Sequence, residues 1–153
     1  MLHYSHMKLR TIDEHIVHFF RKISIPTARI ALFVVFFWFG ILKLIGLSPA
    51  SGLVHALFDQ TIHFMPFNTF YILFSLLECV IGILCLIPGA ERILMPLLLF
   101  HMGTTFLPLF FLRDVVWQAP FVPTLEGQYI IKNLVIIAAA IGLVSHLHPL
   151  KKN

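Results

Sequence analysis

Residues 26–47 read PTARIALFVVFFWFGILKLIGL, an apolar run broken only by Arg29 and Lys43 among charged residues. A helix needs about 20 such residues to cross a hydrocarbon core of about 30 Å, so this run is long enough to span a bilayer. The rest of the chain agrees with it. Of 153 residues, 59% are hydrophobic and 12% charged, sixteen are Phe, and the mean hydropathy is +0.92. Soluble domains hold about 45–50% apolar and about 25% charged residues, and one domain of this length cannot hide the surplus. Low charge excludes a disordered chain, and two Cys are too few for a disulfide-stapled secreted domain. The sequence reads as an integral membrane protein.

Three further stretches have the same length and character: about 67–87, about 93–112 and about 128–147. No period-two alternation runs through them, so the expected fold is all-α, a four-helix transmembrane bundle rather than a barrel. Ser48-Pro49, Pro66, Pro88-Gly89 and Pro120/Pro123 fall in the gaps. Pro96 sits in the first turn of the third span, where its missing N–H is harmless, and Pro108 predicts a kink. Lys8, Arg10, Arg21 and Lys22 precede span one, Arg92 lies between spans two and three, and Lys151 and Lys152 follow span four. The other two gaps hold only Arg113. The positive-inside rule then puts both termini of this multi-pass chain in the cytoplasm. Span one is too long and too far from the N-terminus for a cleaved signal core. The pI near 9.3 is explained by cytoplasmic anchors facing anionic lipid, and no nucleic-acid partner is expected.

The expected organisation is a cytoplasmic amphipathic segment over 1–24, a membrane domain over 25–147 and a cytoplasmic tail over 148–153. Residues 11–23 open with a T-x-x-E capping box, Thr11 and Glu14. Ile12, Ile16, Phe19, Phe20 and Ile23 then recur on one helical face, which predicts an interfacial helix that turns into span one. It is read either as a passive anchor or as a docking helix for a membrane or peripheral protein partner. In the gap 48–66, Leu53, Val54, Leu57, Phe58 and Ile62 predict a short amphipathic helix. Its polar stripe holds His55, Asp59 and His63 at i, i+4 and i+8. Two imidazoles and a carboxylate are a donor set for Zn²⁺, but a solvated face accounts for the same residues and Pro66 is close enough to fray the last turn. No metal is expected. The gap 113–127 carries Trp117, Phe121 and Pro123 and is expected in the headgroup layer.

Charged groups inside a bilayer cost about 2.5–3.5 kcal/mol on insertion scales and usually turn inward and pair. Tyr71, Ser75, Glu78, Gly82 and Cys85 form one stripe, and Arg29, Phe33, Phe36, Gly40 and Lys43 another. Gln128, Lys132, Ala139 and Gly142 form a stripe on span four. Such stripes of small and polar residues mark helix–helix faces. At about 1.5 Å rise per residue, Glu78 lies about 15 Å from the outer boundary and Lys43 and Lys132 about 5–8 Å below it. Lys43 leans down and Glu78 up, which makes them partners; Lys132 leans outward and snorkels. Arg29 is expected to reach lipid phosphate. Lys43, Glu78, His101 and Lys132 are thus a candidate polar pocket, or else a buried network that fixes register. Only His101 is central, so a bis-His haem is not expected. Cys79 and Cys85 are six apart without a C-x-x-C motif, and are read as small apolar residues.

Arg29 with Trp38-Phe39-Gly40-Ile41-Leu42-Lys43 resembles the first helix of the DoxX-like membrane proteins. Leu76-Leu77-Glu78 and Gly82 resemble their second, and Glu126–Asn133 is similar to the start of the fourth helix in a branch with the YkgB-type proteins. The resemblance spans about residues 25–145 and implies four inner-membrane helices with both termini inside. One member type is the small subunit of a thiosulfate:quinone oxidoreductase, and others accompany oxidative or chlorine stress. The resemblance therefore implies a quinone-linked redox or oxidative-stress subunit. Glu78, Lys43 or His101 would exchange protons with quinone, and Trp38 and Phe39 would pack on its ring. The competing expectation is a non-enzymatic membrane anchor with a structural polar core. Solute transport is disfavoured, since one four-helix bundle leaves little room for alternating access.

Overall fold

The computed structural model describes residues 2–145 and 147, with side chains described from residue 12. The expected tail over 148–153 lies outside the described residues. Elements follow the order α1 (Leu2–Leu44), α2 (Ser51–Thr61), α3 (Phe67–Leu86), α4 (Glu91–Phe106), α5 (Pro108–Phe111) and α6 (Arg113–Val116). A hairpin of β1 (Trp117–Ala119) and β2 (Val122–Pro123) leads to α7 (Leu125–Val144). Four stretches are long and apolar enough to cross a membrane: Ile12–Leu44, Phe67–Leu86, Glu91–Phe111 and Leu125–Val144. The protein is an all-α four-helix bundle of membrane-spanning helices. An even number of crossings puts the described ends of α1 and α7 on one side, called here the terminal side, and α2 and the hairpin on the loop side.

α1 is the largest departure from the sequence reading. The amphipathic stretch is helical, but it is continuous with span one, with Pro26 inside the helix. The helix starts at Leu2, so Thr11 and Glu14 lie in its interior and do not cap it. A proline removes one backbone donor, and here the ladder runs on past it. At about 1.5 Å per residue α1 is about 65 Å long. It stops in a Schellman turn: Leu47 N donates to Leu42 O at 2.8 Å and Gly46 N to Lys43 O at 3.1 Å, with Gly46 at φ 74°. Only glycine takes that left-handed position without a Cβ penalty.

α1 packs chiefly against α3 and α4 against α7, and the α1–α7 and α3–α4 contacts close the ring. Leu32, Phe36, Ile81, Leu94, Leu98 and Leu143 are among the buried centre. Lipid is as apolar as this core, so association rests on close packing more than on the hydrophobic effect. A Cβ on Gly40 would stand 2.9 Å from Ser75 O, and one on Gly82 would stand 2.7 Å from Phe37 N. Each helix thus offers a glycine to the other's backbone, on the two stripes read from the sequence. α2 lies where its apolar positions predict, with Phe58 buried against Phe67 and Phe70 at 5.4 and 5.1 Å between ring centres.

The connection before α7 is not a plain loop. Trp117 pairs with Pro123 and Ala119 with Val122, so Pro120 and Phe121 form the tip. Thr124 caps α7, accepting from Gly127 N at 3.2 Å and donating to Val115 O at 2.9 Å. Trp117 Nε1 donates to Leu109 O at 3.1 Å.

Candidate polar centre

Three helices each deliver one polar side chain to the same buried place. Lys43 comes from the last turn of α1, Glu78 from the middle of α3 and His101 from α4. Lys43 Nζ donates to Glu78 Oε1 at 2.8 Å and Oε2 at 2.6 Å, and His101 Nε2 lies 3.0 Å from Glu78 Oε1. All three residues are at most 7% exposed. Gly40, one turn before Lys43, lets α1 approach Ser75 and Cys79 closely enough for a lysine to reach the carboxylate.

Apolar rings enclose the group. Phe74 stacks on His101 with centres 4.8 Å apart and planes 16° apart, and Phe36 meets the imidazole edge-on at 5.4 Å. Lys43 Nζ is 5.9 Å from the centre of the Phe74 ring. Water is held away, so each charge depends on its partner.

The partners of His101 select one tautomer of its ring. A carboxylate only accepts, so the tautomer that fits the contact with Glu78 carries its proton on Nε2. Nδ1 is then a bare acceptor, and it is buried with no hydrogen-bond partner among the described residues. Tyr71 Oη is also buried, seven residues before Glu78 and about 10 Å along the same face of α3, with Ser48 as its side-chain polar neighbour. A proton arriving at Nδ1 would give an imidazolium already bonded to a carboxylate. The arrangement holds an unpartnered ring nitrogen in a buried site, beside a carboxylate already paired with Lys43.

The structure does not bring Lys132 to this group. It is exposed on α7, with Nζ 5.1 Å from the centre of the Tyr129 ring. Gln128 and Gly142 of the same stripe are also exposed, while Gly127, Ile130, Ala140 and Leu143 are the buried positions of α7. Near a helix end a lysine reaches outward more cheaply than it buries. Trp38 and Phe39 are 63% and 52% exposed and line an open groove of about 340 Å³ with Val34 and Val35. Trp38 is five residues from Lys43, about 140° around α1, and so faces away from the polar centre. On α2, His55 Nδ1 lies 3.5 Å from Asp59 Oδ2, both well exposed. The helix ends at Thr61, so His63 does not continue that stripe. Among the described residues no group of three His, Cys, Asp or Glu is placed to hold a metal.

Arg29 corrects a sequence expectation. Instead of reaching lipid phosphate, it turns into the bundle and pairs with Glu91 at the start of α4. It also donates to Cys85 O at 2.9 Å and Ile87 O at 3.2 Å, carbonyls at the C-terminus of α3. Orphan carbonyls and the negative end of the helix dipole attract a cation there. Glu91 follows the Pro88-Gly89 turn, and no spacing rule links it to Arg29. The enclosure of His101 by Phe36 and Phe74 was equally hidden, although Phe74 lies one turn before Glu78.

Comparison with family models, characterised proteins and solved structures yields no match.

Proposed function

We propose that this chain is a small multi-pass membrane subunit of the DoxX-like type, in a bacterial inner membrane with both termini cytoplasmic. In this reading the Lys43–Glu78–His101 centre exchanges protons with a membrane-soluble quinone. The supporting observation is the bare, buried Nδ1 of His101, on a ring held through Nε2 by Glu78. A quinone becomes a quinol by gaining electrons and protons. The conversion takes two electrons, which a partner subunit would supply, and two protons, which His101 would relay in turn: Nδ1 takes each from water at the membrane face and passes it to a quinone oxygen, with Glu78 holding the imidazole at Nε2. The reading sets the quinone head at His101 rather than at Trp38, which lies on the other side of α1.

The second reading is a non-enzymatic anchor whose polar centre only holds three helices in register. The closed Lys43–Glu78 pair favours it, since both carboxylate oxygens are already occupied.

Purification in mild detergent followed by solvent extraction separates the two. Near-stoichiometric quinone, lost in His101→Leu while the fold persists, supports the first reading. Protein free of quinone with a constant partner polypeptide supports the second. Topology is checked in the same cells: a reporter active only outside the cytoplasm should be silent after Asn153 and active near Gln60.

A further inference from the structure

We propose that the N-terminal part of α1 pairs with the same segment of a second copy of this chain, as a parallel two-stranded coiled coil. Ile12, Ile16, Phe19 and Ile23 are spaced four, three and four apart, the a/d rhythm of a heptad, with the exposed Val17 and Phe20 flanking them at b and e. With Ile16 and Ile23 at a, Leu2 and Leu9 fall at a as well, and Ile12 and Phe19 fall at d. Ser5 is the one polar core position over about three heptads.

The structure makes this rhythm usable. α1 is continuous from Leu2 to Leu44, so the seam runs on from the bundle along the same helix. Ile12, Ile16 and Phe19 are each at least half exposed. Pro26 occupies the next d position and marks where the seam ends and the bundle begins. Ile30, the following a position, is 56% exposed. The bundle therefore does not stand in the way of a second copy.

Two features select a second copy as the occupant. Copies inserted with the same topology project this helix on the same side of the membrane, so their segments are parallel without further specification. In a parallel pair, a g residue faces the e residue five positions on in the other chain. Lys8 is at g and Asp13 at e, so the paired register sets opposite charges together twice, once on each flank.

The test uses the full chain in native membrane vesicles. Single cysteines replace Ile12, Ile16 or Phe19 on the seam, or His18 or Arg21 away from it. Mild oxidation should link the seam variants into dimers at least about ten-fold more than the others, as knobs-into-holes contact demands. Equal linking of both groups, or none on the seam, overturns the proposal. So does quenching of a probe at Phe19 by a headgroup-level quencher, which would lay the helix on lipid. For the register, Phe19→Cys carries Asp13→Lys, which should lower the dimer yield. Adding Lys8→Asp to that variant should restore it. Failure of the charge exchange to restore linking overturns the parallel register. Membrane insertion is read in every variant by extraction, and should be unchanged because these side chains lie outside the bundle.

Discussion

Lys43 and Glu78 stand on antiparallel helices, 35 residues apart in the chain, and the lysine Nζ reaches both oxygens of the carboxylate. Antiparallel helices lean their side chains toward opposite ends, so a lysine on one and a glutamate on the other close the gap between their backbones. Breaking such a buried pair by removing one partner typically costs about 3–5 kcal/mol, because the other charge is left without compensation. Lys43→Met or Glu78→Gln alone should therefore lower stability in detergent by about that amount. The double variant should recover part of the loss, and the cycle gives the coupling. Additive single effects would show that the pair contributes nothing jointly.

The glycines at the α1–α3 crossing predict a sharp contrast. Gly82→Ala puts a methyl against the backbone of Phe37, and Gly40→Ala puts one against Ser75 O and Cys79. Backbone cannot give way cheaply, so both should reduce the folded fraction. Gly103 has open space around its Cβ direction. Gly103→Ala should be neutral or stabilising by up to about 1 kcal/mol, from helix propensity alone. Thermal unfolding of the three variants side by side decides it.

Arg29 serves three acceptors and Glu91 one cation. Arg29→Met strands the Glu91 carboxylate and two helix-end carbonyls, so it should be the more damaging change, about 3–5 kcal/mol for the broken pair. Glu91→Gln keeps an acceptor for the guanidinium and should be milder. Equal losses, measured by unfolding in detergent, would mean that the carbonyls are not worth holding.

Phe121 at the hairpin tip has φ 63° and is 94% exposed. A left-handed backbone costs a residue with a Cβ about 1–2 kcal/mol. Phe121→Gly should therefore raise stability in detergent, where the ring has no lipid to enter. In liposomes, where the ring can enter the headgroup layer, the gain should shrink. The comparison is made by thermal unfolding in both media.

Much of the architecture was legible in the chain because lipid imposes a simple rule on it. Apolar length located the spans, and punctuation at Pro66 and Pro88-Gly89 located their ends to within a few residues. The stripes on α1 and α3 were readable because polar and small residues there have nowhere to face but inward. The same rule misplaced the stripe on α7, since Lys132 lies close enough to a helix end to reach out. Of the distant pairings, Lys43 with Glu78 was readable from the opposite lean of their side chains, and Arg29 with Glu91 was not. Arg29 had a plausible destination in lipid, and nothing local pointed to Glu91. The hairpin at 117–123 escaped notice because two strands of three and two residues carry no periodic signal.

The length of α1 has a mechanical consequence. One rod carries the exposed seam of residues 12–23 at one end, Arg29 partway along and Lys43 at the other end. Torque applied to the far end is transmitted by an uninterrupted hydrogen-bonded ladder except at Pro26, where a rung is missing. That residue is the compliant joint of the shaft. Stiffening it, as in Pro26→Ala, would couple any twist of the projecting segment more tightly to the grip of Lys43 on Glu78.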